Sequence, residues 1–151
     1  MIVDFHPHKG KTAKFAFLNS PAFVFESLMS QNPGENLQTL IAEFQRLIPI
    51  FDAKPILQRC FGHNCENQAT YVSVYRTNPY SIRFWCDDCD PYSAGADKGK
   101  LRVVRDYMGA LHHVCDFCNS DSLDFDDLMG EIAMTKGLPH DFSEAQAEAF
   151  F

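Results

Sequence analysis

The sequence predicts a helix-rich α+β fold with one β-hairpin in the middle of the chain and a shorter hairpin at its start. Three observations predict it. Apolar residues recur at helical spacing in several segments that open with capping residues. Two short runs rich in β-branched and aromatic residues flank a turn near the centre of the chain. A close pair of cysteines stands at each end of that central segment.

Composition favours one domain of ordinary size. The chain has 151 residues, of which 46% are hydrophobic and 22% charged, so it can bury a core. It contains no run of roughly 20 apolar residues, and its N-terminus lacks the basic-then-apolar order of a signal peptide. We therefore expect a cytoplasmic protein without a membrane partner. In that reducing compartment, six cysteines in three close pairs indicate metal ligation instead of disulfides.

Residues 1–58 are predicted to form the short hairpin and two helices. "IVDF" and "TAKFAFL" have the composition of strands, and the polar "HPHKGK" joins them. Ser20 and Pro21 mark the start of one helix, and "NPGE" marks the start of a longer one that is expected to end near Pro49. The longer helix carries a core-facing apolar stripe of Leu37, Leu40, Ile41, Phe44, Leu47 and Ile48.

Residues 96–151 are predicted to be helical and acidic. "KLRVVRDYMGALHHVC" is expected to form one helix, whose apolar face consists of Leu101, Val104, Met108, Leu111 and Cys115. Ser122 is expected to open the next helix, which closes at Gly137. Ser143 and Gln146 form a capping-box pattern before a short terminal helix.

Residues 59–95 carry the strongest chemical pattern. Cys60 and Cys65 enclose the tight turn "FGHN", and Cys86 and Cys89 form a CxxC pair. The 20 residues between the pairs have the pattern of strand, turn and strand, in "TYVSVY", "NP" and "SIRFWC". A hairpin of that size returns the second pair beside the first, where four thiolates can surround one tetrahedral zinc ion.

This arrangement resembles the zinc-ribbon and treble-clef class of zinc fingers. The resemblance covers about residues 59–95, and the first pair departs from it by having four intervening residues instead of two. It implies a structural zinc in a recognition or scaffolding module. A redox dithiol is the alternative for the CxxC pair, but Asp87 and Asp88 disfavour a thiolate that no metal neutralises. His63 is an alternative ligand in the first turn.

The third cysteine pair, in "HHVCDFCN", suggests a second zinc site. On a helical wheel His112 borders the face that carries Cys115, whereas His113 points away. With Cys118 these residues form a three-ligand set, and His140 is a candidate for the fourth ligand. Buried thiols without a metal, or pairing of these cysteines with the CxxC pair, are the alternatives.

Two further patterns raise the hypothesis of an enzyme. "CDFCN" resembles the closing knuckle of HNH-type nucleases, but the Asp-His strand, the Gly-Gly and the asparagine-bearing helix of that motif are missing. "DFHPHKG" resembles the HxH start of some metal-dependent hydrolases, which draw further ligands from a longer chain. His6 and His8 are expected at a surface hairpin tip. A metal-dependent nuclease or hydrolase is thus a third hypothesis, after two binding functions.

The charge distribution leads to those two binding functions. The net charge is −7, and residues 119–151 carry eight acidic groups and one basic group. Asp124, Asp126 and Asp127 are candidate docking residues for a basic protein partner. A nucleic-acid face is the alternative, formed by aromatic residues and by Arg76, Arg83, Lys98, Lys100, Arg102 and Arg105.

We favour the first function, a small intracellular zinc-binding interaction protein that acts as an adaptor or regulator. The cations of the second are equally able to pair with neighbouring aspartates. Four of them, from Lys98 to Arg105, cluster at the expected start of a helix, where the helix dipole disfavours positive charge. Cations placed against that preference suggest a use, which is the argument in favour of the nucleic-acid alternative. Strong salt dependence of binding to short nucleic acids would distinguish the second function from the first.

Overall fold

The computed structural model describes residues 1–4, 9–75, 78–94, 99–117 and 122–151, with only the backbone for 78–80, 94, 114, 115, 117 and 122–127. These parts contain six α-helices and a three-stranded antiparallel sheet, which confirms the helix-rich α+β class. In chain order the elements are α1 (Ala13–Asn19), α2 (Pro21–Leu28), α3 (Glu35–Ala53), β1 (Tyr71–Tyr75), β2 (Asn78–Trp85), a 3-10 helix (Pro91–Ala94), β3 (Leu101–Val104), α4 (Tyr107–Phe117), α5 (Ser122–Thr135) and α6 (Glu144–Phe150).

The N-terminal segment folds back on itself, but the second predicted strand is wrong. The Val3 amide donates to the Lys11 carbonyl at 2.8 Å, and the pairing ends at a single bridge between Ile2 and Thr12. Thr12 then caps a helix, since its hydroxyl accepts from the Phe15 amide at 3.2 Å. "TAKFAFL" therefore contributes to α1, whose buried residues recur at helical spacing and are Ala13, Ala16, Phe17 and Leu18.

The helix α3 extends past its predicted end at Pro49 to Ala53. A proline inside a helix removes one backbone hydrogen bond. The helix continues because Leu47 and Phe51, on either side of the proline, are both buried in the core. The predicted stripe is confirmed in part: Leu40 and Phe44 are also fully buried, and Leu37 and Ile48 pack half-buried against the core. Ile41 is half-buried and is not among the residues of the core cluster.

The sheet has the order β2-β1-β3 and separates two apolar clusters. Tyr71 pairs with Trp85, and these two side chains pack with the cysteines. The next residue along β1, Val72, points to the opposite face because side chains alternate along a strand. The residues of that face belong to the main core with the helices and include Val72, Val74, Phe84 and Val104.

The strand β3 corrects the prediction of one helix through "KLRVVRDYMGALHHVC". Residues 101–104 pair with β1, because β-branched residues at an available sheet edge gain more from pairing than from helix formation. The helix begins only at Tyr107, where two aspartates cap it. Asp52 accepts from the Tyr107 amide at 2.8 Å, and Asp106 accepts from the Gly109 amide at 2.6 Å. The predicted turn residues "NP" likewise lie in β2.

The C-terminal helices follow their sequence signals. The helix α5 begins at Ser122 and ends before Gly137, which has a φ of 103°. The capping box of α6 is confirmed, because Ser143 and Gln146 exchange hydrogen bonds at 2.8 and 3.1 Å. None of the helices in the described parts of the chain combines the length and apolar character needed to cross a bilayer.

Candidate metal centre

Four cysteine side chains converge at the end of the β1–β2 hairpin. The sulfur atoms of Cys60, Cys65, Cys86 and Cys89 all lie within 4.8 Å of one another, and those of Cys65 and Cys86 are 3.7 Å apart. Sulfur ligands about 2.3 Å from a tetrahedral zinc ion would be about 3.8 Å apart. The four cysteines therefore lie close enough together to bind one metal ion.

The first cysteine pair is held by a tight turn. The Cys60 amide donates to the Asn67 carbonyl at 2.9 Å, and the Cys65 amide donates to the Gly62 carbonyl at 3.1 Å. Asn64 adopts a positive φ of 55°, a conformation that asparagine tolerates better than most residues. A Cβ atom at Gly62 would lie 2.5 Å from the sulfur of Cys89. Glycine at this position thus permits the two turns to approach each other.

The second pair is positioned by the end of β2 and by β1. Cys86 directly follows the last residue of β2, and the Cys89 amide donates to the Cys86 carbonyl at 3.3 Å. The hydroxyl of Tyr71 in β1 donates to the Cys89 carbonyl at 2.9 Å. The first turn is joined to β2 by a hydrogen bond from the Phe61 amide to the Phe84 carbonyl. The sheet therefore holds both turns.

The environment of the cluster combines shielding from solvent with donors to sulfur. Cys60 and Cys86 are each 4% exposed, and Cys65 and Cys89 are half-buried. The Gly62 amide donates to the Cys60 sulfur at 3.3 Å, and the Asn67 side-chain amide donates to the Cys86 sulfur at 3.6 Å. Donors of this kind stabilise thiolates, which are the form that binds a metal.

The thiols influence one another's ionisation strongly. The hydrogen bond from Asn67 lowers the pKa of Cys86 to about 6. Hydrogen bonding with the other cysteines, Cys60 foremost, raises the pKa of Cys89 to about 12. In the protein without metal, one thiolate thus forms readily while its neighbour holds its proton. A divalent cation bound by the four sulfurs would favour the loss of all four protons, because it stabilises each sulfur as a thiolate.

The residues proposed for a second zinc site do not form a comparable cluster among the described side chains. His112 is exposed and His113 is fully buried, so the predicted orientation of the two histidines was wrong. His140 is exposed and lies 3.0 Å from the Asp141 carboxylate. The side chain of Cys115, and all of Cys118, lie outside the described residues. A second zinc site therefore stays a prediction.

The predicted nucleic-acid face is only partly described. Arg102 lies in β3 and pairs with Asp116 at 3.1 Å, and Arg105 pairs with Asp87 at 3.3 Å. Neither sits in the first turn of a helix, contrary to the prediction. Arg83 is exposed on β2 and Lys100 is exposed just before β3.

The other predicted residues divide between those outside the described parts of the chain and one in the first cysteine turn. Arg76, Lys98, His6 and His8 lie outside the described residues, as do the side chains of Asp124, Asp126 and Asp127 in the first turns of α5. His63 is exposed in the turn between the first two cysteines, as expected of a turn residue.

The sequence indicated the tight turn that contains Gly62, but not the close approach of Gly62 to Cys89 and not the contact of Asn67 with Cys86. Both contacts depend on how the turns approach each other in space. The glycine of "FGHN" was the one local signal, because glycine permits close approach of the backbone.

No protein-family model matches the chain, and it has no match among curated proteins or solved structures. The cysteine cluster is compatible with a zinc-finger-like site, and its chemistry is the basis for a functional argument.

Proposed function

We propose that the protein is a small zinc-binding interaction protein, an adaptor or regulator, in which one structural zinc holds residues 59–95 in shape. The observation that carries the proposal is the convergence of four cysteine sulfurs within 4.8 Å. Four thiolates complete a tetrahedral coordination sphere and leave no position for a substrate or an activated water, as is typical of structural zinc sites. Tetrahedral sulfur ligation is characteristic of zinc or of iron–sulfur centres, and we propose zinc because the two cysteine pairs flank a β-hairpin, as in the zinc-ribbon class.

The sheet gives this zinc a structural task. The hairpin brings the two cysteine turns together, and among the described residues the apolar cluster beside them has Tyr71 and Trp85 as its large side chains. A metal whose binding is coupled to folding supplies stability where so small a core cannot. Residues 59–95 would then serve as a rigid surface for recognition.

The acidic C-terminal region is the proposed docking element. Residues 119–151 carry the whole net charge of the chain. Two of their carboxylates, Glu144 and Glu148, pair with Lys11 and Lys14. The sequence adds three aspartates in the first turns of α5, and their negative charge would steer a basic protein surface toward that helix end.

Nucleic-acid binding is the weaker candidate. Arg102 pairs with Asp116, and the net charge of the chain is −7, whereas phosphate binding requires an excess of cations. A metal-dependent enzyme ranks third, since a four-thiolate site has no open position for catalysis.

The docking proposal is tested with zinc-loaded protein as bait in an extract of its native host. The triple variant Asp124→Asn, Asp126→Asn, Asp127→Asn should capture its partner more weakly, with the loss shrinking at high salt. A control of equal charge change combines Asp4→Asn, Glu26→Gln and Glu35→Gln, three exposed residues of the first third of the chain, and should bind normally. Binding lost instead with Lys100→Ala, Arg102→Ala and Arg105→Ala would favour the nucleic-acid alternative.

A further inference from the structure

A cavity of about 390 Å³ lies beside the cysteine cluster, between the end of α3, the β3–α4 junction and α5. Residues 68–72, which lead from the first cysteine pair into β1, form one wall. Its volume falls within the range of about 300 to 1,000 Å³ that is typical of small-molecule sites. None of the four clustered cysteines lines it, so it is distinct from the proposed metal centre.

The walls of the cavity are largely apolar. Buried side chains from α3, the sheet, α5 and the segment before β1 line it, and they are Phe51, Ile56, Val72, Val104, Met129 and Ile132. A ligand body made of hydrocarbon would exchange water contacts for contacts with these walls, which is favourable in proportion to the area buried. The bulk of a matching ligand is therefore apolar.

Three of the charged residues around the cavity form hydrogen bonds with backbone groups at helix ends. The carboxylates of Asp52 and Asp106 accept hydrogen bonds from the first amides of α4. The ammonium group of Lys136 donates to carbonyl oxygens at the end of α3 at 2.9 to 3.4 Å. Both carboxylates and this lysine thus cap helix ends, where their polar atoms already have backbone partners.

The two remaining charged lining residues, Lys54 and Arg105, are both cations. Lys54 lies with its nitrogen 4.5 Å from the centre of the Phe150 ring, and the Arg105 guanidinium lies 4.1 Å from the centre of the Tyr71 ring. Arg105 also pairs with Asp87, but both side chains are mostly exposed, and such a pair is weak. A guanidinium has five N–H donors, of which this contact uses one.

We propose that this cavity binds a small, mainly apolar molecule that carries one anionic group, of the class of medium-chain carboxylates. The apolar body would occupy the space between the buried walls, and the carboxylate would accept hydrogen bonds from Arg105 and pair with Lys54. Arginine presents its donors in a fork that matches a carboxylate. This site does not depend on the docking function proposed for the acidic region.

The test uses three probes with the same eight-carbon chain, namely octanoate, 1-octanol and octylamine. Each is titrated into isotope-labelled, zinc-loaded protein while amide resonances are recorded. We expect octanoate to shift the resonances of lining residues such as Ala69, Val72 and Tyr107, and to bind about tenfold more tightly than 1-octanol. Octylamine should bind most weakly. Absence of shifts at the lining residues with octanoate at millimolar concentration would overturn the proposal.

Variants separate the anion contact from the apolar cavity. Arg105→Gln should reduce octanoate affinity about tenfold and leave 1-octanol affinity unchanged, since it removes only the charged donors. Arg83→Gln, at an exposed arginine that does not line the cavity, is the matched control and should change neither. Ala53→Phe, at an exposed lining position at the end of α3, should weaken both probes. Equal affinity for all three probes, or tightest binding of octylamine, would refute the anionic class.

Discussion

Replacing Gly62 with alanine should disrupt the cysteine cluster without removing any ligand. The added Cβ would lie 2.5 Å from the Cys89 sulfur, whereas real Cβ atoms keep at least 3.0 Å from other heavy atoms. The sulfur or the turn must therefore move by about 0.5 Å. Metal–ligand distances tolerate deviations of only about 0.2 Å. The same Cβ would also lie 3.3 Å from the Cβ atoms of Cys65 and Cys89, so neither turn can yield easily.

The cost is expected to fall on metal affinity. Moving the turn away would strain the bonds from the Cys65 amide to the Gly62 carbonyl and from the Phe61 amide to the Phe84 carbonyl. Changes that misplace ligands typically weaken metal binding by about 10- to 100-fold, which corresponds to about 1.4 to 2.7 kcal/mol. Competition with a chromophoric chelator measures this loss directly.

The matched control is Gly130→Ala in α5. A Cβ at Gly130 would meet nothing within 4 Å, and alanine favours a helix over glycine by about 1 kcal/mol. This variant should bind zinc normally and be slightly more stable than the original protein. If Gly62→Ala binds zinc with unchanged affinity and melts at an unchanged temperature, the geometry of the cluster described here is wrong.

Two further predictions concern the cysteines and a helix cap. Cys86→Ser should abolish tight zinc binding and unfold residues 59–95, as followed by amide exchange. Replacing Cys115 and Cys118 together should have a milder effect on stability. If a second zinc is present, that double replacement should instead lower the metal count from two to one. Burial raises the pKa of Asp52, so ionisation of this carboxyl group opposes folding. The destabilisation is absent at low pH and grows as the pH rises from the unfolded-state pKa to the folded-state pKa. At neutral pH Asp52→Asn should therefore be neutral to slightly stabilising in denaturant unfolding, because the amide oxygen still accepts from Tyr107 and cannot ionise, whereas Asp52→Ala should lose about 1 kcal/mol. Equal destabilisation by both changes would contradict this role of the cap.

The set of clustered cysteines could be predicted because the spacing that brings them together lies within one short segment of the sequence. Two close pairs separated by a hairpin of definite length can meet in only a few ways, so the spacing of Cys60, Cys65, Cys86 and Cys89 indicated their convergence. The bond from Asn67 to the Cys86 sulfur was not predictable. It depends on the approach of the two turns in space, for which no spacing rule exists.

The same distinction explains which elements were predicted correctly. The helix α6 was predicted correctly, because its capping box is encoded within four neighbouring residues. The elements α1 and β3 were not, because seven and four residues are too few to separate a helical period from a strand period. Packing of Phe17 in the core decided the first, and pairing with β1 decided the second.

X-ray absorption at the zinc edge, on protein purified in reductant and combined with elemental analysis, tests the proposed metal centre most directly. The four clustered cysteines predict at least one zinc per chain, with a site of four sulfur neighbours at about 2.3 Å. A folded chain that contains no transition metal would contradict the proposal, and so would zinc whose neighbours are mainly oxygen or nitrogen.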